Sequence, residues 1–489
     1  MRITFAASEG VPYSKTGGLA DVAGALPRAL ARLGHEVSVF LPLYRVSKPR
    51  IKQWKVAIES LTIPFADQHR FSRIIDDGRD EHGVQHYFVD YDPYFDREAL
   101  YNTQWGDYGD NLERYTLFCR AVLEASKLLG VPDVFHAHDW QTALVPVLLR
   151  TLYYDDHTLA PAASVFTIHN MGYQGIFPGG KLATIVVPQW LYSADRLEHF
   201  GSLNLLKGGI LYGDHVTTVS PTYMQEIHTP EFAFGLDGPI RARGADCSGI
   251  LNGVDYHDWN PETDKYIAAH YSAEDLAGKR ECKLDLLRAF HLPEDAETPL
   301  IGIVSRFATQ KGFDLIAGAA AQLVREKVRM VVLGTGERQY EDLFRAFASH
   351  APDRFAVRVA YDNALAHKIE AGADMFLMPS HYEPCGLNQI YSLKYGTPPI
   401  VRATGGLEDT VENWNPNGDR GTGFKFTEYT PHALIETVRW ALRTFQFKES
   451  WKKLMVNGME RDFSWERSAE QYVGVYEHVR GQRRYLVGR

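Results

Sequence analysis

The first half of the chain alternates short apolar runs with longer stretches whose apolar residues recur at helical spacing. Strand-like runs lie at residues 3–7, 37–41, 134–137, 164–168 and 215–219. One helical face follows the first run and consists of Leu19, Val22, Ala23, Leu26, Leu30 and Leu33. Strands that alternate with helices predict a parallel sheet with helices on both faces.

A second alternating series has strand-like runs at 300–304, 330–333, 356–359, 375–378 and 400–401. Between the two series, residues 241–263 are irregular and rich in glycine, and we interpret them as a linker. The predicted fold is α/β, with two Rossmann-like, doubly wound domains at 1–245 and 246–460 and a C-terminal helical segment at 461–489. Because such sheets bind ligands beyond the carboxyl ends of their strands, we expect the substrate in an interdomain cleft.

Composition narrows the classes of protein that this pattern allows. A chain of 489 residues with 45% apolar and 23% charged residues is typical of a soluble protein of two or three domains. The net charge of −9 argues against a nucleic-acid or anionic-membrane partner bound through bulk electrostatics. The scattered cysteines, Cys119, Cys247, Cys282 and Cys385, predict neither a zinc site nor a disulfide framework. Without a targeting pattern or an apolar run of about 18 residues, we expect a cytoplasmic protein.

The segment Lys15-Thr16-Gly17-Gly18 occupies the turn between the first strand and the first helix. Backbone N–H groups and the positive end of the helix dipole meet there, which suits a phosphate or another anion. Lys15 adds a positive charge, and the glycines allow a ligand to approach the backbone closely. The alternative is a glycine turn that only connects the strand to the helix and binds no ligand, since neither Gly-x-Gly-x-x-Gly nor a P-loop is present.

This turn has a counterpart in the second half of the chain. Thr16-Gly-Gly-Leu-Ala-Asp21 recurs as Thr404-Gly-Gly-Leu-Glu-Asp409, again between a strand-like run and a helical pattern. Two such turns, one per domain, suit a single anionic ligand held from opposite sides. Chance similarity of a short glycine turn is the alternative.

Two cations follow the first strand of the second domain. Arg306 and Lys311 come after the run at 300–304, at the end of the sheet where the cleft is expected. Such cations usually lie on solvated surfaces, but here they suit a pyrophosphate. They would stabilise negative charge that grows on a leaving group.

Histidine and aspartate side chains follow two strands of the first domain. The segment His136-Ala-His-Asp-Trp140 carries Asp139, and His169 ends the next strand. Two histidines two positions apart are an incomplete ligand set, so we expect no metal. Asp139 and His169 are instead candidates for binding sugar hydroxyls or for polarising a reacting group.

The segment Glu383-Pro-Cys-Gly-Leu387 follows the run at 375–378. Pro384 fits the first turn of a helix, which would direct helix N–H groups and the Glu383 carboxylate into the cleft. The alternatives are a Glu383 that only caps the helix and a Cys385 that is only a small buried residue.

Seven short motifs in this order carry a family resemblance. They are Lys15-Thr-Gly-Gly-Leu-Ala-Asp21, His136-Ala-His-Asp-Trp140, Phe166-Thr-Ile-His-Asn170, Leu251-Asn-Gly-Val-Asp255, Ser305-Arg306 with Gln310-Lys-Gly312, Glu383-Pro-Cys-Gly-Leu387 and Thr404-Gly-Gly-Leu407. Together they resemble the bacterial glycogen synthases and plant starch synthases, and the match runs from Ile3 to Trp465.

The resemblance implies a GT-B fold whose C-terminal helix returns to the first domain. It implies the transfer of glucose from a nucleotide-glucose donor, usually ADP-glucose, to the non-reducing 4-OH of an α-1,4-glucan such as glycogen. The anomeric configuration is retained in this family, and no metal or other cofactor is expected.

Carried over by position, the resemblance also implies roles for individual residues. Arg306 and Lys311 would neutralise the departing ADP, while Glu383 would hold the donor glucose and stabilise charge near its anomeric carbon. His169 and Asp139 would position the glucose ring. The implied substrate-binding positions are Lys15, Gly18, Asp21, Asn252, Tyr361, Cys385, Gly386, Leu387, Thr404 and Gly405. Within that set, Lys15, Thr404 and Gly405 would meet the donor's phosphates, Tyr361 would stack on the adenine, and Asn252 would lie near the hinge.

The sequence departs from the family at a few positions. Met171-Gly172 stands where Leu-Ala is more common, and His381-Tyr382 stands where Arg-Phe is common. Tyr391 occupies a position at which the wider retaining GT-B group has a second glutamate. Glu383 therefore has no obvious carboxylate partner. We favour a same-face attack, in which the leaving phosphate takes the acceptor's proton, over a covalent glycosyl-enzyme.

Three other functions are alternatives. The first is a GT-B glucosyltransferase that uses UDP-glucose or makes a small glucoside. The second is a glucan-binding scaffold, against which the intact cations and Glu383 argue. The third is a nicotinamide oxidoreductase, which the missing Gly-x-Gly-x-x-Gly disfavours.

Overall fold

The computed structural model describes residues 1–65 and 68–487. Contacts divide the chain into a first unit (Met1–Val219, Met224–Gly253 and Trp465–Arg489) and a second unit (Ser220–Tyr223 and Val254–Ser464). The divisions after Gly253 and Ser464 lie a few residues beyond the predicted limits at 245 and 460. The first limit moves because residues 247–249 add a strand to the sheet of the first unit.

The first half of the chain carries fourteen of the described strands. They are β1 (Arg2–Ala6), β2 (Glu36–Pro42), β3 (Lys55–Phe65), β4 (Gln68–Arg79), β5 (Gln85–Asp90), β6 (Asn102–Thr103), β7 (Gly106–Asp107), β8 (Val134–His138), β9 (Ala163–Ile168), β10 (Ile176–Pro178), β11 (Glu198–His199), β12 (Ser202–Asn204), β13 (His215–Thr218) and β14 (Cys247–Gly249). The helices are α1 (Gly18–Arg32), α2 (Asp92–Phe95), α3 (Asn111–Leu129), α4 (Asp139–Thr142), α5 (Leu144–Leu149), α6 (Leu182–Ile185), α7 (Leu205–Tyr212), α8 (Pro221–Glu226), α9 (Pro230–Ala233) and α10 (Asp237–Ala242).

The main sheet of the first unit has the strand order β14-β13-β9-β8-β1-β2-β5-β4-β3. The strands from β14 to β5 are parallel to their neighbours, and β4 and β3 extend that edge as an antiparallel hairpin. All five strands predicted for this half are present. The strand order reverses between β1 and β8, so the chain leaves these two neighbours in opposite directions.

Three features of the first unit differ from the sequence expectations. The hairpin of β3 and β4 was not predicted, although Leu61, Ile63 and Phe65 recur at alternate positions of β3 and are buried, as a strand with one covered face requires. The supposed linker contains β14, a short strand that the glycine-rich pattern of 241–263 conceals. Leu33 follows the end of α1 and is 40% exposed, so it does not belong to the buried face of that helix.

The second unit is built on a six-stranded parallel sheet in the order β17-β16-β15-β18-β19-β20. Its strands are β15 (Leu300–Val304), β16 (Arg329–Gly334), β17 (Phe355–Val359), β18 (Met375–Met378), β19 (Pro399–Arg402) and β20 (Phe424–Phe426). The helices are α11 (Ala277–Ala289), α12 (Phe313–Leu323), α13 (Arg338–His350), α14 (Asn363–Gly372), α15 (Asn388–Lys394), α16 (Gly405–Thr410), α17 (Pro431–Phe445) and α18 (Lys448–Met459). All five predicted strands are present, and the order is that of a doubly wound nucleotide-binding sheet that reverses between β15 and β18.

The chain ends in a long helix, α19 (Trp465–Val487), which packs on the first unit. Trp465, Tyr472 and Tyr476 are buried in the same apolar core as Phe5 and Leu26. The Tyr476 hydroxyl lies 2.7 Å from Nδ1 of His136, which is in the centre of the sheet. The last helix is therefore an integral layer of the first unit.

Two further properties bear on the expected class of protein. No helix within residues 1–65 and 68–487 has the length and apolarity needed to cross a membrane. In the same residues, none of the four cysteines forms a disulfide.

Candidate active site

The Lys-Thr-Gly-Gly turn lies at the carboxyl end of β1, where α1 begins. Lys15 is exposed, and its Nζ lies 2.7 Å from a carboxylate oxygen of Asp21 in the first turns of α1. Burial raises the pKa of Asp21, while the nearby Lys15 ammonium lowers it. This turn therefore presents a cation beside the first backbone N–H groups of a helix of 15 residues.

The buried carboxylate of Glu9 fixes the conformation of this turn through hydrogen bonds from Thr16. The carboxylate of Glu9 accepts hydrogen bonds from the backbone N–H of Thr16 and from its hydroxyl, the latter at 2.9 Å. Glu9 is only 4% exposed, and burial raises its pKa, whereas the Thr16 hydrogen bonds lower it. The conformation of the turn is thus fixed by a buried carboxylate that the sequence analysis did not single out.

The two glycines of this turn are not required by the protein's own packing. A Cβ on Gly18 would meet no atom within 4 Å, and one on Gly17 would meet only a Glu9 oxygen at 3.9 Å. Neither has the positive φ that favours glycine. Their lack of a side chain leaves the backbone open to a molecule outside the chain.

Asp139 and His169 lie side by side at the ends of β8 and β9. The Asp139 carboxylate accepts the backbone N–H of His169 at 2.7 Å. Burial raises the pKa of Asp139 to about 7; the His169 N–H opposes this shift and the charge of Glu9 adds to it. Burial also lowers the pKa of His169 to about 3. Both side chains are therefore suited to hydrogen bonding in a largely neutral state.

The sequence pattern predicts that the His-Ala-His segment follows a strand. In the structure, both histidines lie within β8. Being two residues apart, His136 and His138 point to the same face of the sheet. His136 Nε2 lies 2.6 Å from the hydroxyl of Thr167, and His138 Nδ1 lies 3.0 Å from Nε2 of His169. These ring nitrogens are engaged in hydrogen bonds to the chain itself.

In the second unit, Lys311 and Glu383 form the central pair of the site. The Lys311 ammonium donates to Oε2 of Glu383 at 2.6 Å, and the Ser380 hydroxyl donates to the same oxygen at 3.0 Å. Glu383 is 5% exposed, and its Oε1 makes no hydrogen bond to any residue that the structure describes. One carboxylate oxygen is held rigidly while the other stays available.

Glycines allow the loops around this pair to pack closely. A Cβ on Gly312 would collide with the carbonyl oxygen of Pro379, and a Cβ on Gly405 would collide with that of Glu383. Gly312 and Gly405 also have positive φ angles of 77° and 45°. The loops after β15, β18 and β19 are therefore locked together, in contrast to the open turn at Gly17 and Gly18.

The Glu383 segment differs from the expectation that Pro384 opens a helix. Helix α15 begins at Asn388, and residues 383–387 form a loop whose Gly386 has a φ of 73°. The Gln389 side chain donates to the carbonyl oxygens of Cys385 and Gly386, both at 3.0 Å, and so satisfies groups that a helix would have used. Cys385 is buried, and Leu387 is the residue immediately before α15.

The remaining predicted positions are distributed over both units. Arg306 is exposed directly after β15, and Tyr361 is 86% exposed just after β17. Thr404 is buried at the start of α16. Asn252 is buried in the first unit, and its Oδ1 has no hydrogen-bond partner among residues 1–65 and 68–487.

Most of these residues share one topological property. In the first unit, Lys15 and Asp139 follow β1 and β8, the neighbours at which the strand order reverses. In the second unit, Lys311 and Glu383 follow β15 and β18, which are the equivalent neighbours. Each sheet therefore carries charged side chains at the position where doubly wound folds bind ligands.

Comparison with known proteins gives the same picture along the whole chain. Residues 2–242 match the family of starch synthase catalytic domains, and residues 288–454 match the glycosyl transferases of group 1. The chain is 61% identical to a glycogen synthase of Koribacter versatilis over 98% of both chains. It is 47% identical to a glycogen synthase of an Anaeromyxobacter species, over 98% of this chain and 99% of that one.

Two solved structures are similar in fold. The catalytic domain of starch synthase IV from Arabidopsis thaliana, bound to ADP and acarbose, superposes with a TM-score of 0.89 at 33% identity, covering 98% of this chain and 99% of that one. A sucrose-phosphate synthase from Thermosynechococcus elongatus, at 18% identity, has a TM-score of 0.60 over 98% of both chains and shares the fold alone.

Two Rossmann-like units with charged side chains at their switch points, together with these matches, define a glycosyltransferase of the GT-B class. The predicted fold class is thereby confirmed. The chain belongs to the family of bacterial glycogen synthases and plant starch synthases, which build α-glucans by glycosyl transfer.

The sequence analysis missed three residues that shape the site: Glu9, His138 and Ser380. Glu9 and Ser380 each follow a sheet strand within three residues, as Asp139, His169 and Arg306 do. That position is the signal that would have found them. His138 was noticed, but only as part of an incomplete metal set.

We expect Asp139→Asn to be more stable than the unchanged protein above pH 7. The folded pKa of about 7 exceeds the ordinary 3.8, so the native state holds an extra proton between these values and stability falls as pH rises. Asn keeps the acceptor for the His169 N–H and tolerates the φ of 57° at this position. The gain should be of the order of a few kcal/mol, since the shift spans about three pKa units and each is worth about 1.4 kcal/mol.

The measurement is the thermal unfolding of both proteins by calorimetry, from near pH 3.8 to above pH 7. The advantage of Asp139→Asn should shrink as the pH falls. Asp195→Asn, at an exposed carboxylate of the same unit, is the control and should show no such gain. An Asp139→Asn protein that is less stable at every pH would contradict this account of burial.

Proposed function

We propose that this glycosyltransferase transfers glucose from ADP-glucose to the non-reducing 4-OH of an α-1,4-glucan, with retention, in the cytoplasm. The observation that carries the proposal is the Lys311–Glu383 pair at the switch point of the second sheet. Support for the nucleotide comes from the similar starch synthase IV domain, which was solved with ADP and acarbose.

The diphosphate of the donor requires positively charged side chains. Arg306 and Lys311 follow β15 and supply two positive charges, and Arg306 makes no ion pair with the described residues. Cations placed at a leaving group stabilise the charge that develops there in the transition state. We assign Arg306 and Lys311 to the departing ADP, with Thr404 and Gly405 supporting its phosphates.

The Lys15 turn of the first domain is assigned to the same diphosphate. Its helix start provides backbone N–H groups, and Gly17 and Gly18 leave those groups accessible. Among residues 1–65 and 68–487, the Lys15 ammonium forms an ion pair with Asp21 alone, and burial raises the pKa of that carboxyl. In this proposal Lys15 exchanges part of its contact with Asp21 for the phosphates.

The donor glucose is assigned to largely neutral groups and one carboxylate. His169, Asp139 and Asn252 would bind its hydroxyls, for which neutral hydrogen-bonding groups suffice. Glu383 is assigned to the anomeric carbon, where its available Oε1 would stabilise positive charge as the bond to the phosphate breaks. The nearby segment Cys385-Gly386-Leu387 forms the loop beneath this carboxylate.

Retention follows from a same-face reaction in this proposal. The acceptor's O4 forms a bond to the anomeric carbon while the carbon–oxygen bond to ADP breaks, and the O4 proton passes to the leaving phosphate. Lys311 and Ser380 hold Glu383, and Tyr391 stands where related enzymes have a second glutamate. Since the described side chains that bond to Glu383 are an ammonium and a hydroxyl, we assign Glu383 the role of electrostatic stabiliser and the role of base to the leaving phosphate.

We expect incorporation of radiolabelled glucose from ADP-glucose into glycogen, and a loss of about 100- to 1,000-fold in kcat for Glu383→Gln. The loss follows because the amide cannot stabilise the developing positive charge. Glu436→Gln is the matched control, since Glu436 forms a 2.7 Å ion pair with Arg439 on an outer helix of the same unit. It should retain wild-type kcat.

The same assay separates the alternatives. Faster transfer from UDP-glucose, or transfer to free sugars rather than to glycogen, would assign a different glucosyltransferase. Glucan binding without any transfer would assign a scaffold.

The same-face mechanism predicts that no glucose becomes covalently attached to the protein during turnover. Mass spectrometry of the intact protein, quenched during the reaction with ADP-glucose and a short glucan, is the measurement. The Glu383→Gln protein, treated identically, reports any non-specific attachment. A glucosyl adduct that forms and decays at the rate of turnover would exclude this mechanism.

Tyr361→Ala should raise the KM for ADP-glucose about tenfold, because stacking of a base on an aromatic ring contributes about 1–3 kcal/mol. Tyr361 is 86% exposed, so its loss should leave the thermal stability unchanged. Tyr361→Phe keeps the ring and should behave as the wild type. Phe447→Ala removes another exposed ring of the same unit and serves as the control. An unchanged KM in Tyr361→Ala would remove Tyr361 from the donor site.

A further inference from the structure

Three histidine rings form a row in the first unit, near the carboxyl ends of β8 and β9. The ring centroids of His136 and His138 are 4.1 Å apart, and those of His138 and His169 are 5.3 Å apart. His136 and His138 are fully buried, and His169 is partly exposed. The row connects the interior of the sheet with a residue of the proposed donor site.

The hydrogen bond between His138 and His169 joins two neutral rings. Nδ1 of His138 lies 3.0 Å from Nε2 of His169. Burial lowers the pKa of His138 well below its usual range and that of His169 to about 3. A neutral imidazole has one N–H and one bare nitrogen, so one of these rings donates and the other accepts.

The second nitrogen of His138 decides which ring donates. His138 Nε2 is buried and has no hydrogen-bond partner among residues 1–65 and 68–487. If His138 accepted from His169, its own proton would sit on Nε2 as a buried N–H without an acceptor. Such orphan N–H groups are rarer in proteins than unsatisfied acceptors. His138 therefore carries its proton on Nδ1 and donates it to His169.

Two consecutive residues, His138 and Asp139, bond to His169 at two different atoms and so fix its orientation. His138 binds the ring at Nε2, and Asp139 accepts the backbone N–H at 2.7 Å. Since Nε2 accepts, the proton of the neutral His169 ring must be on Nδ1. That nitrogen makes no hydrogen bond to another described residue.

We propose that His138 is a positioning residue that holds His169 with its proton on Nδ1, so that His169 offers an N–H to a hydroxyl oxygen of the donor sugar. The identity of that sugar rests on the proposed function, while the tautomer does not. His169 then acts as a hydrogen-bond donor and not as a base.

His136 provides an internal comparison. Both of its ring nitrogens have partners, with the Tyr476 hydroxyl at 2.7 Å from Nδ1 and the Thr167 hydroxyl at 2.6 Å from Nε2. It is as buried as His138 but does not bond to His169. A change at Tyr476 therefore perturbs the same buried cluster without touching the bond in question.

The direct test is the ¹⁵N NMR spectrum of the unchanged, full-length protein labelled at histidine nitrogens. The His169 signals are assigned by their absence in His169→Asn. We expect a protonated Nδ1 and a bare Nε2 for His169. A proton on Nε2 would overturn the proposal, whether or not the protein uses ADP-glucose.

A kinetic test follows the consequence for catalysis. His138→Leu removes the donor and should lower kcat by roughly 10- to 100-fold, by analogy with the loss of groups that orient metal-ligating histidines. Its KM for glucan should not change. His138→Asn keeps an amide N–H close to the Nδ1 position and should recover much of the loss.

Tyr476→Phe is the control and should keep both the kcat and the His169 tautomer of the unchanged protein. A His138→Leu protein with normal kcat and an unaltered His169 spectrum would contradict the proposal. If His138→Leu does not fold, the spectrum of the unchanged protein alone decides. An unchanged protein without ADP-glucose activity would instead refute the proposed function and leave the tautomer measurable.

Discussion

The structure depends on one topological constraint, which is the reversal of strand order within each parallel sheet. At β1 and β8, and again at β15 and β18, neighbouring strands send the chain to opposite faces. The residues that follow these strands are therefore not covered by a crossover helix. Lys15 and Asp139 in one unit, and Lys311 and Glu383 in the other, occupy these openings because of where they stand in the chain.

The site residues of the two units differ in charge state. In the first, burial raises the pKa of Glu9 and Asp139 and lowers that of His169, so the site favours neutral hydrogen-bonding groups. In the second, Lys311 and Glu383 stand 2.6 Å apart as an ion pair that Ser380 reinforces. Neutral donors and acceptors suit sugar hydroxyls, and fixed charges suit a diphosphate and a developing cation. The assignment of sugar hydroxyls to His169 and Asp139, and of the developing positive charge to Glu383, therefore follows from the local solvation of each group.

Glycine has opposite uses in the two related turns. At Gly405 its small size and positive φ allow the start of α16 to lie against the carbonyl of Glu383. At Gly18 no other part of the chain approaches. The same Thr-Gly-Gly-Leu sequence thus locks one turn onto the protein and leaves the other open. The two identical segments have different roles because different parts of the chain surround them. Local sequence does not show those surroundings.

By itself, the sequence determined the two α/β domains, the positions of ten sheet strands and the residues that follow them. These features depend on periodicity over a few neighbouring residues, and the motifs that carry the family resemblance stand at the same strand ends. The three-residue β14 was missed because so short a strand leaves little apolar pattern. Strand β3 was also missed, although three buried apolar residues alternate along its second half. The helix expected at Pro384 failed for a related reason, since side-chain bonds from Gln389 stabilise a loop there.

Only the tertiary structure decided which side chains meet. The bond of His138 to His169 joins residues 31 positions apart, and that of Lys311 to Glu383 joins residues 72 apart. Such pairs are set by strand order and by close packing of loops, which bring distant segments together at distances of about 3 Å. Their protonation states follow from the burial that this packing creates, and burial belongs to the folded chain rather than to any segment of it.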